Sequence, residues 1–162
     1  MQYILMALLT AGVVAADQLT KLWVVENIAL FGRVEAVDGL FHLTYVQNTG
    51  AAFSSFQGQL WLFAAVFAVL TVAVVWEFAT GKMGFSWFER WCIAAIYSGG
   101  LGNMIDRFRL GYVVDMIEVD FMQFPVFNVA DCFITCGCIA LLVSLLFFHK
   151  DFWKEARKSE KK

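Results

Sequence analysis

From Cys132 to Phe148 the chain carries no Asp, Glu, Lys or Arg. In a bilayer core, one unbroken segment can satisfy its own backbone N–H and C=O groups only as an α-helix. Three more stretches lack charge: Met1 to Ala16, Leu60 to Trp76 and Trp91 to Ile105. Each extends by a few flanking residues to the roughly 20 that cross a bilayer. The chain therefore reads as an all-α integral membrane protein with four transmembrane helices, spanning about 3–25, 58–77, 88–106 and 129–149. Composition agrees, since 60% of the 162 residues are hydrophobic and only 16% charged, against roughly 25% charged in soluble domains. What remains is two substantial loops and a tail, so a single membrane domain is expected over 1–162, with no separate soluble unit.

Met1 to Ala16 ends in the small residues of "VVAAD", as a cleaved export signal does. No Lys or Arg precedes its apolar run, however, and export signals begin with a basic stretch, so it is read as the first span. Lys150, Lys154, Arg157, Lys158, Lys161 and Lys162 crowd the tail 150–162, and Lys82 and Arg90 lie between spans two and three. Basic residues mark cytoplasmic segments, which places both termini in the cytoplasm. With the basic residues accounted for by topology, the net charge of −2 gives no reason to expect a nucleic-acid partner. Cys92, Cys132, Cys136 and Cys138 all fall within spans. Thiolates are costly in lipid and neither His42 nor His149 is near in sequence, so these cysteines read as small apolar side chains rather than metal ligands.

Hydropathy leaves five polar stretches unexplained: "DQLTK" (Asp17 to Lys21), "QNTGAAF" (Gln47 to Phe53), "GGLGNMIDR" (Gly99 to Arg107), "VVDM" (Val113 to Met116) and "FNVAD" (Phe127 to Asp131). On the four-span topology all five gather at the outer face. Ionisable groups in such places mark functional sites by default.

Each stretch also has a structural reading. Asp17 and Lys21 stand at i and i+4 with the acid first, the better order for a helical ion pair. Gly99, Gly100 and Gly102 suit close helix packing. Arg107 fits an interfacial anchor as well as a ligand contact. "RVEAVDGLFHLTYVQN" carries a DG turn signal among β-branched and aromatic residues, and in "GYVVDMIEV" Val113, Asp115, Ile117 and Val119 share one face of a strand. Two extended segments that pair into a small outer sheet are expected, with Asp115 anomalous on an apolar face. Asn128 fits a helix N-cap, with Asp131 at the third helical position.

Capping does not explain why one loop delivers an acid in an apolar setting and another at a helix start. Two carboxylates sharing a poorly solvated place share a proton. Aspartic peptidases use that arrangement, one group drawing a proton from water while the other donates to the scissile carbonyl. No Ser-His-Asp grouping competes. A proton relay through Asp17, Asp106, Asp115 and Asp131 would place acids near the midplane, often in repeated halves, and neither feature is present. A purely structural scaffold would tolerate loss of both Asp115 and Asp131.

Taken together and in order, "DQLTK", "NTGAAF", "GNMIDR", "VVDM" and "FNVAD" resemble the bacterial lipoprotein signal peptidases, also called signal peptidase II or prolipoprotein signal peptidase. The resemblance runs from Asp17 through Asp131. It implies an aspartic endopeptidase of the bacterial cytoplasmic (inner) membrane that removes the signal peptide from diacylglyceryl-modified prolipoproteins, cutting immediately before the lipidated cysteine. It implies a small extracytoplasmic β-cradle, Asp115 and Asp131 as the catalytic pair, and Asp17, Lys21, Asn48, Gly50, Asn103, Arg107, Asn128 and Ala130 as supporting positions. Asp106, within "GNMIDR", joins them as a candidate. The expected partners are lipid-modified prolipoproteins and membrane lipids, the chain acts as a monomer, and no metal or organic cofactor is implied. Met116 stands where Phe is commoner, and Cys132 is not a family signature. Physical reasoning adds one assignment: free N–H groups at a helix start favour an ion there, making Asp131 the resting base and Asp115 its protonated partner.

Overall fold

A computed structural model describes residues 1–50 and 58–148. Ala51 to Phe53 of the "QNTGAAF" stretch, His149 and the basic tail 150–162 lie outside the described residues. Four helices and three strands follow in the order α1 (Gln2–Asn27), β1 (Arg33–Val37), β2 (Phe41–Asn48), α2 (Leu60–Thr80), α3 (Trp87–Leu110), β3 (Val113–Val119) and α4 (Val129–Phe147).

The helix ends carry their own signals. α2 stops at Gly81, whose φ of 63° is open to glycine at no steric cost. Ser86 then starts α3 through a capping box: its side chain accepts the Glu89 N–H, and the Glu89 carboxylate accepts the Ser86 N–H at 2.7 Å. α4 starts the same way on Asn128 and Asp131.

α1, α2 and α4 are long and apolar enough to cross a membrane. α3 reaches 24 residues, but Glu89, Arg90, Asp106, Arg107 and Arg109 occupy its ends and lower its mean hydropathy. Along α2 only Val74 and Glu77 are buried, while Val66, Val69, Val72 and Val75 point outward, as suits a helix solvated by lipid.

Contacts fix the direction of the helices. Trp91 Nε1 donates to Gln2 Oε1 at 3.2 Å, Arg90 pairs with Glu77 at 3.0 Å, and Ser144 Oγ donates to Glu89 Oε1 at 3.1 Å. The start of α1, the end of α2, the start of α3 and the end of α4 thus share one end of the bundle.

The other end carries the sheet, antiparallel in the order β1-β2-β3. The DG signal forms the hairpin turn, with Gly39 at φ 66°. Burial does not alternate along β3, whose first four residues are all buried, and the core lies behind the opposite face from the one the sequence suggests. Val114 and Met116 pack with Val24, Ile28 and Tyr45 between the sheet and α1. Val113 and Asp115 on the other face are buried too, because Asn48 of β2 and the starting turn of α4 cover that side.

Candidate active site

Asp17 and Lys21, one turn apart on α1, form the expected ion pair at 2.9 Å, and both are buried. Lys21 Nζ also meets Asp106 Oδ2 of α3 at 3.0 Å and donates to Asn103 Oδ1 at 2.9 Å. One ammonium is therefore shared between two buried acids, and the remaining negative charge is met by neutral donors. Gln18 supplies one of these: its Nε2 donates to Asp106 Oδ1 at 2.8 Å and to Asp17 Oδ2 at 3.2 Å. Sequence reasoning passed over Gln18, since nothing in "DQLTK" separates a bridging carboxamide from an ordinary helix-surface glutamine.

Each of these acids also holds a distant backbone. Asp17 Oδ1 accepts the Ala130 N–H at 3.0 Å, and Asp106 Oδ2 accepts the Val114 N–H at 3.0 Å. Ala130 and Val114 immediately precede Asp131 and Asp115. Close approach depends on glycine: a Cβ on Gly102 would lie 2.6 Å from Asp17 Oδ2, and one on Gly99 would collide with the Ala130 carbonyl oxygen.

Asn128, fully buried at 0% exposure, joins the two central acids. Its Nδ2 donates to Asp115 Oδ1 at 2.7 Å and to Asn103 Oδ1 at 3.1 Å, while its Oδ1 accepts the Asp131 N–H at 2.9 Å. Asp115 Oδ2 accepts Asn48 Nδ2 at 2.8 Å. Asp131 Oδ1 accepts Asn103 Nδ2 at 2.8 Å and its Oδ2 accepts the Asn128 N–H at 3.2 Å. Both oxygens of both acids are thus fixed by neutral amide donors, and among these contacts no cation touches either one.

Burial pushes the Asp115 pKa up to about 6 from 3.8; hydrogen bonds from Asn48 and Asn128 oppose that rise and the nearby charge of Asp131 adds to it. Such an acid changes charge near neutrality, where a proton donor or acceptor is useful.

Gly50 and Arg107 close the near side. Gly50 N donates to Asn48 Oδ1 at 2.9 Å, Arg107 NH2 donates to Gly50 O at 2.8 Å, and the Arg107 guanidinium lies 4.2 Å from the Phe63 ring centroid of α2. Asp17, Lys21, Asn48, Gly50, Asn103, Asp106, Arg107, Asn128 and Ala130 are therefore all brought into one cluster around Asp115 and Asp131. Cys132 is half-buried, with its Sγ 3.4 Å from Asn128 O; Cys136 and Cys138 are exposed on α4 and touch none of this. Among the described residues, no three His, Cys, Asp or Glu side chains are grouped to hold a metal ion.

The chain is similar to proteins of known kind along most of its length. A lipoprotein signal peptidase of Streptococcus agalactiae serotype Ia is 42% identical over 155 residues, 96% of each chain. One from Streptococcus pyogenes serotype M2 is 44% identical over 142 residues, 88% of each. Two solved structures, each described as a bacterial membrane enzyme, superpose with TM-scores of 0.81 and 0.78 at 30% and 29% identity. They cover 87% and 88% of this chain and 87% and 93% of their own. The family model for signal peptidase (SPase) II matches residues 9–147, and the chain belongs to that family.

Proposed function

We propose that this protein is an aspartic endopeptidase that removes the signal peptide from diacylglyceryl-modified prolipoproteins, cutting immediately before the lipidated cysteine. Asp115 and Asp131 carry the reaction. The observation that supports this most directly is the wiring of the pair: both acids are held through Asn128, and every carboxylate oxygen is met by an amide donor.

Aspartic hydrolysis needs one ionised and one protonated carboxyl. Asp131 accepts a proton from water as that water attacks the scissile carbonyl, and Asp115 donates its proton to the carbonyl oxygen. Collapse of the tetrahedral intermediate breaks the C–N bond as Asp131 passes its proton to the departing amine and Asp115 regains one from the gem-diol hydroxyl, and the new carboxyl group leaves with the signal peptide. With no substrate bound, a pKa of about 6 leaves Asp115 mostly ionised at pH 7, so the protonated Asp115 expected from the sequence belongs to the substrate-bound site and not to the empty one. A peptide docked over it removes more water and favours the protonated form. Amide donors suit this role, because a cation against Asp115 would hold it ionised.

α3 is the fourth crossing: its charges sit at its two ends, and Trp91 to Ile105 between them is free of charge. Both termini then lie in the cytoplasm, and the site lies near the outer face of the bacterial cytoplasmic membrane. The lipid-bearing cysteine keeps its acyl chains in the bilayer while the adjoining peptide bond sits at headgroup depth. Asn48, Asn103 and Arg107 are our candidates to hold that peptide or headgroup; the two asparagines already bond the acids and their neighbours, so Arg107 is the favoured contact, and one copy of the chain supplies every residue named.

The test is a gel-shift assay of a purified lipid-modified prolipoprotein with wild type, Asp115→Asn and Asp131→Asn. Wild type alone should produce the shorter product. Full cleavage by either variant overturns the assignment.

A further inference from the structure

His42 has no part in the chemistry above, yet it is 7% exposed and both its ring nitrogens are taken by acids. Nδ1 lies 2.6 Å from Asp120 Oδ1 and Nε2 lies 2.8 Å from Glu118 Oε2. A neutral imidazole has one N–H and one lone pair. It can donate to one carboxylate but must face the other lone pair to lone pair. Only the imidazolium donates to both. We propose that protonated His42 is a clasp that holds the end of β3, and through it positions Asp115, the acid on that strand.

The location gives the clasp its leverage. The β2–β3 register shifts between Leu43 and Val46, so the regular pairing that joins His42 to Glu118 is interrupted before it reaches the Val46 and Asp115 pair. Beyond that irregularity, the end of β3 is held to β2 by the pairs Leu43–Ile117, His42–Glu118 and Phe41–Val119, by Asp120 N–H donating to Leu40 O at 3.0 Å, and across its side chains by the imidazolium. Past Asp120 the chain returns so that Phe127 bridges Ile117, and the next residue is Asn128. The clasp thus stands at the head of the connection that joins one central acid to the other.

The charged groups around the ring favour its protonation. Glu118 and Asp120 come from β3 and the residues just after it. Glu35 of β1 is the cross-strand neighbour of His42. Among the described residues Arg33 of β1 is the cation that meets this cluster, pairing with Glu118 at 2.8 Å from an exposed position. Val24 of α1 and Ile28 just beyond it, which pack against the sheet, are apolar. Burial works against the charged ring, but the hydrogen bonds and charges of Asp120 and Glu118 outweigh it and raise the His42 pKa above 6.5. With the folded value above the unfolded one, the clasp is fully formed below the unfolded pKa and is lost as pH rises through the folded value.

The positioning of Asp115 rests on the catalytic reading of that residue; the clasp itself does not. The experiment therefore has two arms on full-length protein in detergent micelles. In the first, NMR follows the two imidazoles through a pH series, with His149→Gln to assign them, alongside amide exchange in β3. His42 should titrate above 6.5, the protection of β3 amides relative to their intrinsic exchange rates should fall through the same midpoint, and Asp120→Asn should lower that midpoint. A His42 midpoint at or below 6.5, or β3 exchange indifferent to it, overturns the clasp.

In the second arm, His42→Gln should lower kcat by about three- to tenfold at pH 6 with KM held, and its deficit should vanish at pH above the His42 midpoint. An unchanged kcat at pH 6 overturns the positioning role. Wild type that shows the NMR behaviour but cleaves nothing would instead refute the peptidase reading and leave the clasp standing.

Discussion

Asp17 on the first helix and Ala130 on the last stand 113 positions apart, yet the Asp17 carboxylate accepts the Ala130 backbone N–H at 3.0 Å. Asp106 does the same for Val114. These two acids thus hold the residues just before Asp131 and Asp115, the pair we propose to be catalytic. Lys21 lies between them, so a single ammonium aligns both arms of the site.

Lys21→Met should be among the most damaging substitutions in the chain. It would leave two buried carboxylates without their counter-ion, and breaking a buried pair by removing one partner costs about 3–5 kcal/mol. Thermal unfolding in detergent, followed by intrinsic fluorescence, should show a large drop in midpoint. Lys21→Arg should restore little of it, because the planar guanidinium cannot meet Asp17, Asp106 and Asn103 from the space an ammonium fills.

Gly102→Ala pushes a methyl group against Asp17 Oδ2, and Gly99→Ala pushes one against the Ala130 carbonyl oxygen. Overpacking of this kind costs about 1–3 kcal/mol. The Asp17 side chain has some freedom to yield, while a backbone carbonyl moves only with its helix. Gly99→Ala should therefore lose more cleavage activity than Gly102→Ala at equal expression. Equal activity in both would show that α4 shifts without disturbing the site.

Asp115 should titrate near 6 in an infrared pH series on wild-type protein, identified by loss of its band in Asp115→Asn. Asp131→Asn should move that midpoint down, since it removes a neighbouring negative charge. Asn48→Ala should move it up, since it removes a hydrogen bond to the ionised form. The folded protein binds this proton more tightly than the unfolded chain does. The stability contributed by Asp115 is thus greatest below 3.8 and falls as pH rises through about 6.

Much of this layout is legible in the residues alone, for physical reasons that differ by element. The helices occupy the charge-free stretches because lipid offers the backbone no other partner. The capping box of α4 is local, written in Asn128 and the residue three places on. The sheet is less legible. Alternation located β3 and the side of Asp115, but which face meets the core depends on where α1 ends, and no local pattern records that. Long-range wiring is harder still. That Asp17 reaches Ala130, that Gln18 bridges two acids, and that His42 meets Glu118 and Asp120 are outcomes of tertiary packing; in the sequence, His42 is simply an isolated histidine.

The capping box that starts α4 has a further implication. Asp131 Oδ2 accepts the N–H of Asn128 that closes the box, and Oδ1 accepts Asn103. If Asp131 is the group that takes a proton from water, that proton lands on an oxygen that already accepts one N–H, from Asn103 of α3 at Oδ1 or from Asn128 at the helix start at Oδ2, and uses its second lone pair. Protonation weakens a carboxylate as an acceptor, so each bond cut would briefly slacken a hydrogen bond that ties the last helix to α3 or closes its opening turn.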